Sequence, residues 1–491
     1  MIILSLLERD PAAVSRLLLS PPAGVEAVEV RLDAMKRVAP SSWFPGTTAA
    51  PRPVIAACRT PREGGSFRGS ETRRRESLLT AARAGVAYVD VEMGSPMATS
   101  LTGFAPARVI LSHHDRRRTP TAAKLHALYR RMSAVAGVAA VKIVTTANDP
   151  ADVLEIRSLL KRVEGAKIPL IAFAMGAPGI PSRILALSWG SWATFVCLRG
   201  GMESAPGQLT LDEATNVFRV GEIDEETRLT GITGFPVGHS LSPIMHNAAF
   251  GRQGVNFRYL PFPAPKIDRV PELMRKLRIR GLSVTAPHKI AMAGRVRMLG
   301  PGVKRLGAIN TVLNDGRRLF GFNTDALGLL GPLRRRIDPS GKTVVIAGAG
   351  GSARAIAVAL REAEACVIIC SRREKPGRAL AKRIGGRYVA PRRISGETYD
   401  ILVNATPAGM DGRSMPVPAA AVKGSLVADL VYSPVRTPLL GAALARGIAT
   451  VSGLDVLLEQ GVEQYALFTG REAPREAMRQ ALLDATSKVE A

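Results

Sequence analysis

Short apolar, β-branched runs recur along the first 200 positions, each bounded by polar or turn-forming residues. Runs of this length and composition predict strands over 2–6, 27–31, 53–58, 87–92, 108–112, 138–143, 170–174 and 194–198. Between them, segments such as 71–84 and 121–136 place apolar residues at helical spacing. Eight alternating units in so short a span predict a compact (β/α)8 barrel, with its site at the carboxyl ends of the strands.

The residues that would be costly inside a core fall at those ends. Glu29 and Arg31 close the second run, Arg59 the third and Glu92 the fourth. His114 follows the fifth, Lys142 lies in the sixth, Arg183 follows the seventh, and Ser204 and Gln208 follow the eighth. Lys142 sits inside Val138-Ala139-Ala140-Val141-Lys142-Ile143-Val144, where an ammonium is expensive to desolvate. Burial favours the neutral amine, the form that attacks a ketone. A lysine snorkelling out of the barrel end would give the same local pattern.

The neighbouring motifs separate the two readings. Glu29-Val30-Arg31-Leu32-Asp33, Arg59 with Glu63-Gly64-Gly65, Ser112-His113-His114-Asp115, Val141-Lys142-Ile143, Ser182-Arg183 and Ser204-Ala205-Pro206-Gly207-Gln208 occur in that order. This string resembles type I 3-dehydroquinate dehydratase over residues 1–221. The resemblance implies that Lys142 forms an imine with the substrate ketone and that His114 moves the protons. It implies that Glu63 orients the histidine and that Arg183 holds a carboxylate. Ser5, Glu29, Arg31, Arg59, Ser204 and Gln208 would bind hydroxyls or line the pocket. The His113-His114 pair would suit a metal only if both rings faced one way. Adjacent strand residues face opposite sides, so no metal is expected.

An acidic stretch, 221–227, reads as a linker to a second half with its own signature. The buried-strand run 343–347 leads into Gly348-Ala349-Gly350-Gly351-Ser352-Ala353 and then a helix over 354–362. This is the G-x-G-x-x-A form of the dinucleotide phosphate loop. Alone it is a weak signal, but strand, loop and helix stand in the required order. The next strand, 366–370, ends in Ser371-Arg372-Arg373, where an NAD enzyme usually carries an acid. Cations there fit the 2′-phosphate of NADP; two solvated arginines are the plain alternative.

Upstream stand Gly238-His239-Ser240-Leu241-Ser242-Pro243 before a helix over 244–250, then Ser283-Val284-Thr285-Ala286-Pro287-His288-Lys289, Ala308-Ile309-Asn310-Thr311 and Asn323-Thr324-Asp325. Downstream come Asn404-Ala405-Thr406-Pro407, Asp429-Leu430-Val431-Tyr432 and Gly453-Leu454-Asp455 leading to Gln460. The series is similar to shikimate dehydrogenase over 228–491, with Ser283 where bacterial relatives commonly have Asn. The resemblance implies that Lys289 and Asp325 form the catalytic pair. Ser240 and Ser242 would take the carboxylate, with Thr285, Asn310, Asp325, Tyr432 and Gln460 on the ring oxygens. Gly348, Ala349, Gly350, Gly351, Ser352, Ser371, Arg372, Arg373, Leu430 and Gly453 would hold NADP. The implied domains are the barrel at 1–221, a substrate-binding domain at 228–330 to which 455–491 return, and a Rossmann domain at 331–454. Quinate-preferring relatives tend to have glycine at the positions of Ser242 and Thr285, so the residues present favour shikimate.

Composition changes this picture little. The 491 residues carry a formal net charge of +26, which attracts phosphates and raises the alternative of a nucleic-acid-binding protein. The excess is instead spread as arginines, as in Arg73-Arg74-Arg75, Arg116-Arg117-Arg118 and Arg334-Arg335-Arg336, without aromatic interleaving. Small anionic substrates, and neither nucleic acid nor a membrane, are the expected partners. Four cysteines lacking metal-ligand spacing, and the absence of a long apolar run, predict reduced thiols and a cytoplasmic protein. A remaining alternative keeps the reductase and makes the barrel a scaffold.

Overall fold

A computed structural model describes residues 1–35, 50–296, 298–299 and 303–490. The chain divides into two compact units, Met1–Thr227 with Leu260–Leu277, and Arg228–Tyr259 with Arg278–Ala491.

The first unit contains strands β1 (Ile2–Leu6), β2 (Ala27–Arg31), β3 (Val54–Ala57), β4 (Tyr88–Glu92), β5 (Arg108–His114), β6 (Val138–Thr146), β7 (Leu170–Met175) and β8 (Thr194–Cys197), with a short β9 (Leu209–Thr210). They lie in the order β7-β6-β5-β4-β3-β2-β1-β8-β9, and all the neighbours are parallel. One apolar cluster takes residues from every strand from β1 to β8, from Ile3 through Ile110 to Phe195. A flat sheet could not bring these together, so the sheet curls into a barrel around them. The Trp192 N–H, just before β8, donates to the Leu170 carbonyl of β7 at 2.8 Å across the seam.

Helices cover the outside because their apolar stripes match the strands. Helix Val153–Arg162 buries Val153, Ile156, Leu159 and Leu160 and leaves its charges outward. Each such side chain contributes about 1.5–3 kcal/mol relative to exposure. Between β4 and β5 the connection is two 3-10 turns, Pro96–Thr99 and Leu101–Phe104, where the regular pattern predicts a helix. Gly94, Pro96, Gly103 and Pro106 interrupt that stretch too often for helical hydrogen bonding. The acidic segment expected as a linker begins as a 3-10 turn, Val220–Glu222. Ile223 is buried, and Glu225 pairs with Lys161 at 2.8 Å.

A second sheet has the order β11-β10-β12-β14-β15-β13, from β10 (Arg228–Gly234), β11 (Phe257–Pro263), β12 (Gly281–Val284), β13 (Met298–Leu299), β14 (Thr311–Asn314) and β15 (Leu319–Phe322). A third consists of β16 (Thr343–Ala347), β17 (Cys366–Cys370), β18 (Arg387–Val389), β19 (Ile401–Asn404), β20 (Leu426–Asp429) and β21 (Ala449–Val451). Its order is β18-β17-β16-β19-β20-β21, parallel throughout. Alternate residues serve opposite faces. Val344 and Ile346 pack with Ile356 and Leu360 of helix Gly351–Glu362, while Val345 and Ala347 pack with Leu439 and Leu440 of helix Pro438–Leu444. The strand order reverses at β16, so the loop after it opens on the crevice where such sheets bind ligands. Helix Gly453–Thr469 packs its Leu458, Tyr465 and Phe468 against Met245 and Phe250 of helix Ser242–Gln253.

Two candidate active sites

The barrel's carboxyl end opens into a pocket lined by Glu29, Arg31, Arg59, Glu63, His114, Lys142, Arg183 and Ser204. Eight of the ten barrel positions expected from sequence therefore share one cavity. Ser5 and Gln208 stand one layer back. Ser5 Oγ donates to Glu29 Oε2 at 2.6 Å, and Gln208 Oε1 accepts from the Ser204 N–H at 2.6 Å.

Lys142 is buried and its Nζ lies 3.3 Å from both Glu29 Oε1 and Asp90 Oδ2. On its other side the ammonium stands over the Phe195 ring, 3.8 Å from the centroid. Two carboxylates and an aromatic face thus compensate the desolvation that sequence alone left open. Burial would raise the Glu29 carboxyl, but the cations of Lys142, Arg59 and Arg31 outweigh it and hold Glu29 at about 2.

Charge pairing fixes the neighbouring cations. Arg31 makes a bidentate pair with Asp33, at 2.9 and 2.8 Å. Arg59 donates to Glu92 and, at 2.5 Å, to Asp90, which also accepts from Ser112 Oγ at 2.6 Å. His114 Nδ1 lies 3.4 Å from Glu92 Oε2 and 3.9 Å from Glu63 Oε2. Burial, with Arg59 beside it, pulls the imidazole down to about 4. Burial, with Glu92 beside it, pushes the Glu63 carboxyl up to about 7. Glu63, Glu92 and His114 bring their ligand-type atoms within 4.8 Å of one another. The Arg59 guanidinium already supplies a cation there, since its Nη1 also lies 3.3 Å from His114 Nδ1.

Arg183 differs from the other cations. It is 1% exposed, its Nε and Nη2 have no hydrogen-bond partner, and its guanidinium stacks 4.5 Å from the Phe173 centroid. Burial alone pulls it down to about 10. Unpartnered N–H donors on a buried guanidinium facing a pocket fit a planar anion such as a carboxylate.

In the second unit a different set converges. Lys289 Nζ donates to Asp325 Oδ2 and, at 2.8 Å, to Ser352 Oγ. Asp325 Oδ1 accepts from Asn310 Nδ2 at 2.7 Å and Gln460 Nε2 at 2.9 Å. Ser240 meets the Tyr432 hydroxyl, and Ser242 meets that of Tyr259. Thr285 is half-buried just past β12, its N–H on the Thr233 carbonyl at 2.9 Å. Beneath these runs a buried chain, Tyr259 Oη to Ser283 Oγ to Gln464 Oε1, each link 2.7 Å.

The glycine-rich loop lies between β16 and helix Gly351–Glu362. Gly348 has φ +123, and a Cβ there would come 2.8 Å from the Ala405 carbonyl oxygen, so only glycine fits. The first N–H groups of the 12-residue helix face the crevice end, as a pyrophosphate requires. Ser371 is buried, and Arg372 and Arg373 are exposed after β17. Leu430 follows β20, and Gly453 opens helix Gly453–Thr469. The donor set fits a phosphorylated dinucleotide.

The type I 3-dehydroquinase family model matches residues 4–225. The shikimate dehydrogenase substrate binding domain model matches 232–312, and the shikimate 5′-dehydrogenase C-terminal domain model matches 453–483. A chloroplastic bifunctional 3-dehydroquinate dehydratase/shikimate dehydrogenase of Arabidopsis thaliana is 35% identical over 481 residues, covering 92% of this chain and 79% of its own. The chain belongs to that bifunctional family. A shikimate dehydrogenase (NADP(+)) of Thermococcus kodakarensis is 40% identical over 54% of this chain and 99% of its own. A solved shikimate dehydrogenase in complex with NADP+ superposes on 54% of this chain and 97% of its own, at TM-score 0.50 and 34% identity.

Sequence reasoning left several residues of the dehydratase half without a role. Asp90 and Glu92 alternate in the apolar strand Tyr88–Glu92, the same signal of a costly buried charge that singled out Lys142. Phe195 carried no signal, because an aromatic in a strand is ordinary core. In the reductase half, Tyr259, Ser283 and Gln464 lie far apart in sequence and meet only in the fold.

Proposed function

We propose that the barrel dehydrates 3-dehydroquinate to 3-dehydroshikimate through a Lys142 imine, and that the second half reduces that product to shikimate with NADPH. The observation that carries this reading is the pairing of a buried amine with an unpartnered buried guanidinium in one pocket, Lys142 and Arg183.

Arg183 would hold the substrate carboxylate and so set the ketone against Lys142. Condensation expels water and gives a protonated imine, which draws electrons from the adjacent carbon. His114 would take the proton from that carbon, then return one to the departing hydroxyl as water leaves. Glu92 and Glu63 keep the imidazole oriented, while Glu29 and Asp90 balance the charge at Lys142. Arg31, Arg59, Ser204 and Gln208 line the hydroxyl side, with Ser5 acting through Glu29. Hydrolysis of the imine releases product and restores the amine.

In the reductase, NADPH supplies the hydride. Lys289, held by Asp325, donates a proton to the developing alkoxide. Ser240 and Ser242 would take the carboxylate, and Thr285, Asn310, Asp325, Tyr432 and Gln460 the ring oxygens. Gly348, Ala349, Gly350, Gly351 and Ser352 would cradle the pyrophosphate, Arg372 and Arg373 with Ser371 the 2′-phosphate, and Leu430 and Gly453 the nicotinamide end. Ser242 and Thr285 favour shikimate over quinate. We assign 1–221, 228–330 with 455–491, and 331–454 as the three domains. The cysteines Cys58, Cys197, Cys366 and Cys370 are free, which supports a reducing, cytoplasmic setting. No described helix is long and apolar enough to cross a membrane.

Supplying 3-dehydroquinate and NADPH together tests the reading. NADPH oxidation should need both halves. Lys142→Ala should abolish it with 3-dehydroquinate but not with 3-dehydroshikimate, and Asp325→Asn should abolish it with both. Oxidation by Lys142→Ala from 3-dehydroquinate would refute the assignment.

A further inference from the structure

Lys289 is held at three points, and one of them belongs to the cofactor loop. Its carbonyl accepts the Ile309 N–H at 2.9 Å, which ties it to the segment carrying Asn310. Its ammonium donates to Asp325, itself braced by Asn310 and Gln460. The third hold is Ser352 Oγ, at 2.8 Å. Ser352 is the second residue of helix Gly351–Glu362.

The approach is built in. A Cβ on Gly351 would lie 3.0 Å from Lys289 Cβ and 3.3 Å from its Cδ, so a side chain there would push the lysine stem away from the loop. With glycine, the stem lies against the first turn of the helix and reaches the hydroxyl. A hydroxyl has one proton and two acceptor lone pairs. Ser352 therefore accepts from the Lys289 ammonium and still has its own proton to give.

On the proposed reading that this loop receives the NADPH pyrophosphate, we propose that Ser352 is a positioning residue that joins cofactor binding to Lys289. Its hydroxyl proton goes to a phosphate oxygen while its lone pair keeps the ammonium, giving a chain from ammonium through hydroxyl to phosphate. Hydrogen bonds in such a chain reinforce one another. Bound cofactor then fixes Lys289 in the position that meets the substrate hydroxyl, and the two ligands bind cooperatively. By linkage each tightens the other by the same factor.

The test is calorimetric binding of shikimate with and without saturating NADPH. Reduced cofactor and reduced substrate cannot react, so no turnover intervenes. Expected is a shikimate Kd about five- to ten-fold lower with NADPH in the wild type. The ratio should fall to about one in Ser352→Ala and Ser352→Gly, and stay near wild type in Ser352→Thr, which keeps the hydroxyl. A wild-type ratio near one, or an undiminished ratio in both hydroxyl-free variants, overturns the proposal. Failure of the wild type to bind shikimate or NADPH at all would instead overturn the reading on which it rests.

Discussion

His114 Nδ1 lies 3.4 Å from Glu92 Oε2, nearer than Glu63, the partner expected from sequence. Burial and Arg59 still outweigh this carboxylate and keep the imidazole at about 4. The acid limb of kcat/KM for dehydration should therefore fall near pH 4, not near the ordinary histidine value of about 6.5. Between those two values the unfolded chain binds a proton that the folded chain does not. Folding stability is lost at this site as pH falls through that window. His114→Gln should lose dehydration and show a smaller drop in Tm between pH 6.5 and 4. A midpoint near 6.5 that persists in Glu63→Gln, which removes the neighbouring carboxyl held at about 7, would contradict the assigned environment.

Arg183 sets stability against function. Removing a buried guanidinium with unpartnered donors relieves a desolvation cost, while substrate loses its charge-assisted contacts at about 1.5–3 kcal/mol each. Arg183→Met should raise Tm of the ligand-free protein and lower dehydratase kcat/KM about 100-fold or more, mostly through KM. A lowered Tm with unchanged KM would show that the residue is structural.

Gly348 should tolerate no side chain. At φ +123 and with the Ala405 carbonyl oxygen 2.8 Å from where a Cβ would stand, Gly348→Ala should cost about 1–3 kcal/mol of stability and raise KM for NADPH. Dehydration, measured alone, should persist.

Arg372 and Arg373 should set cofactor choice. Replacing either with Ala should lower kcat/KM for NADPH about ten-fold, the worth of one charge-assisted hydrogen bond, and leave NADH turnover nearly as it was. Equal losses with both cofactors would remove the 2′-phosphate role.

Much of this was legible in the chain because local pattern decides it. The strands at 2–6, 27–31, 343–347 and 366–370 have the predicted bounds, each being an apolar run between turn residues. The ladder of polar residues at the barrel's carboxyl ends was legible for the same reason, since each is a conspicuous polar or charged residue beside a buried strand. Pairing was not legible. That Arg59 would bind Asp90 and Glu92, or that Lys142 would stand over Phe195, depends on strand neighbours separated by tens of residues. Nor was the break between β4 and β5 foreseen, because the regular alternation of the barrel masked the local effect of Gly94 and Pro96.

The central claim is that Lys142 is a covalent nucleophile. Protein incubated with 3-dehydroquinate and reduced with sodium borohydride should gain the mass of the reduced imine on the peptide containing Lys142, and Lys142→Ala should gain nothing there. Folded wild-type protein that acquires no adduct at saturating substrate, or acquires it on another lysine, would contradict the account.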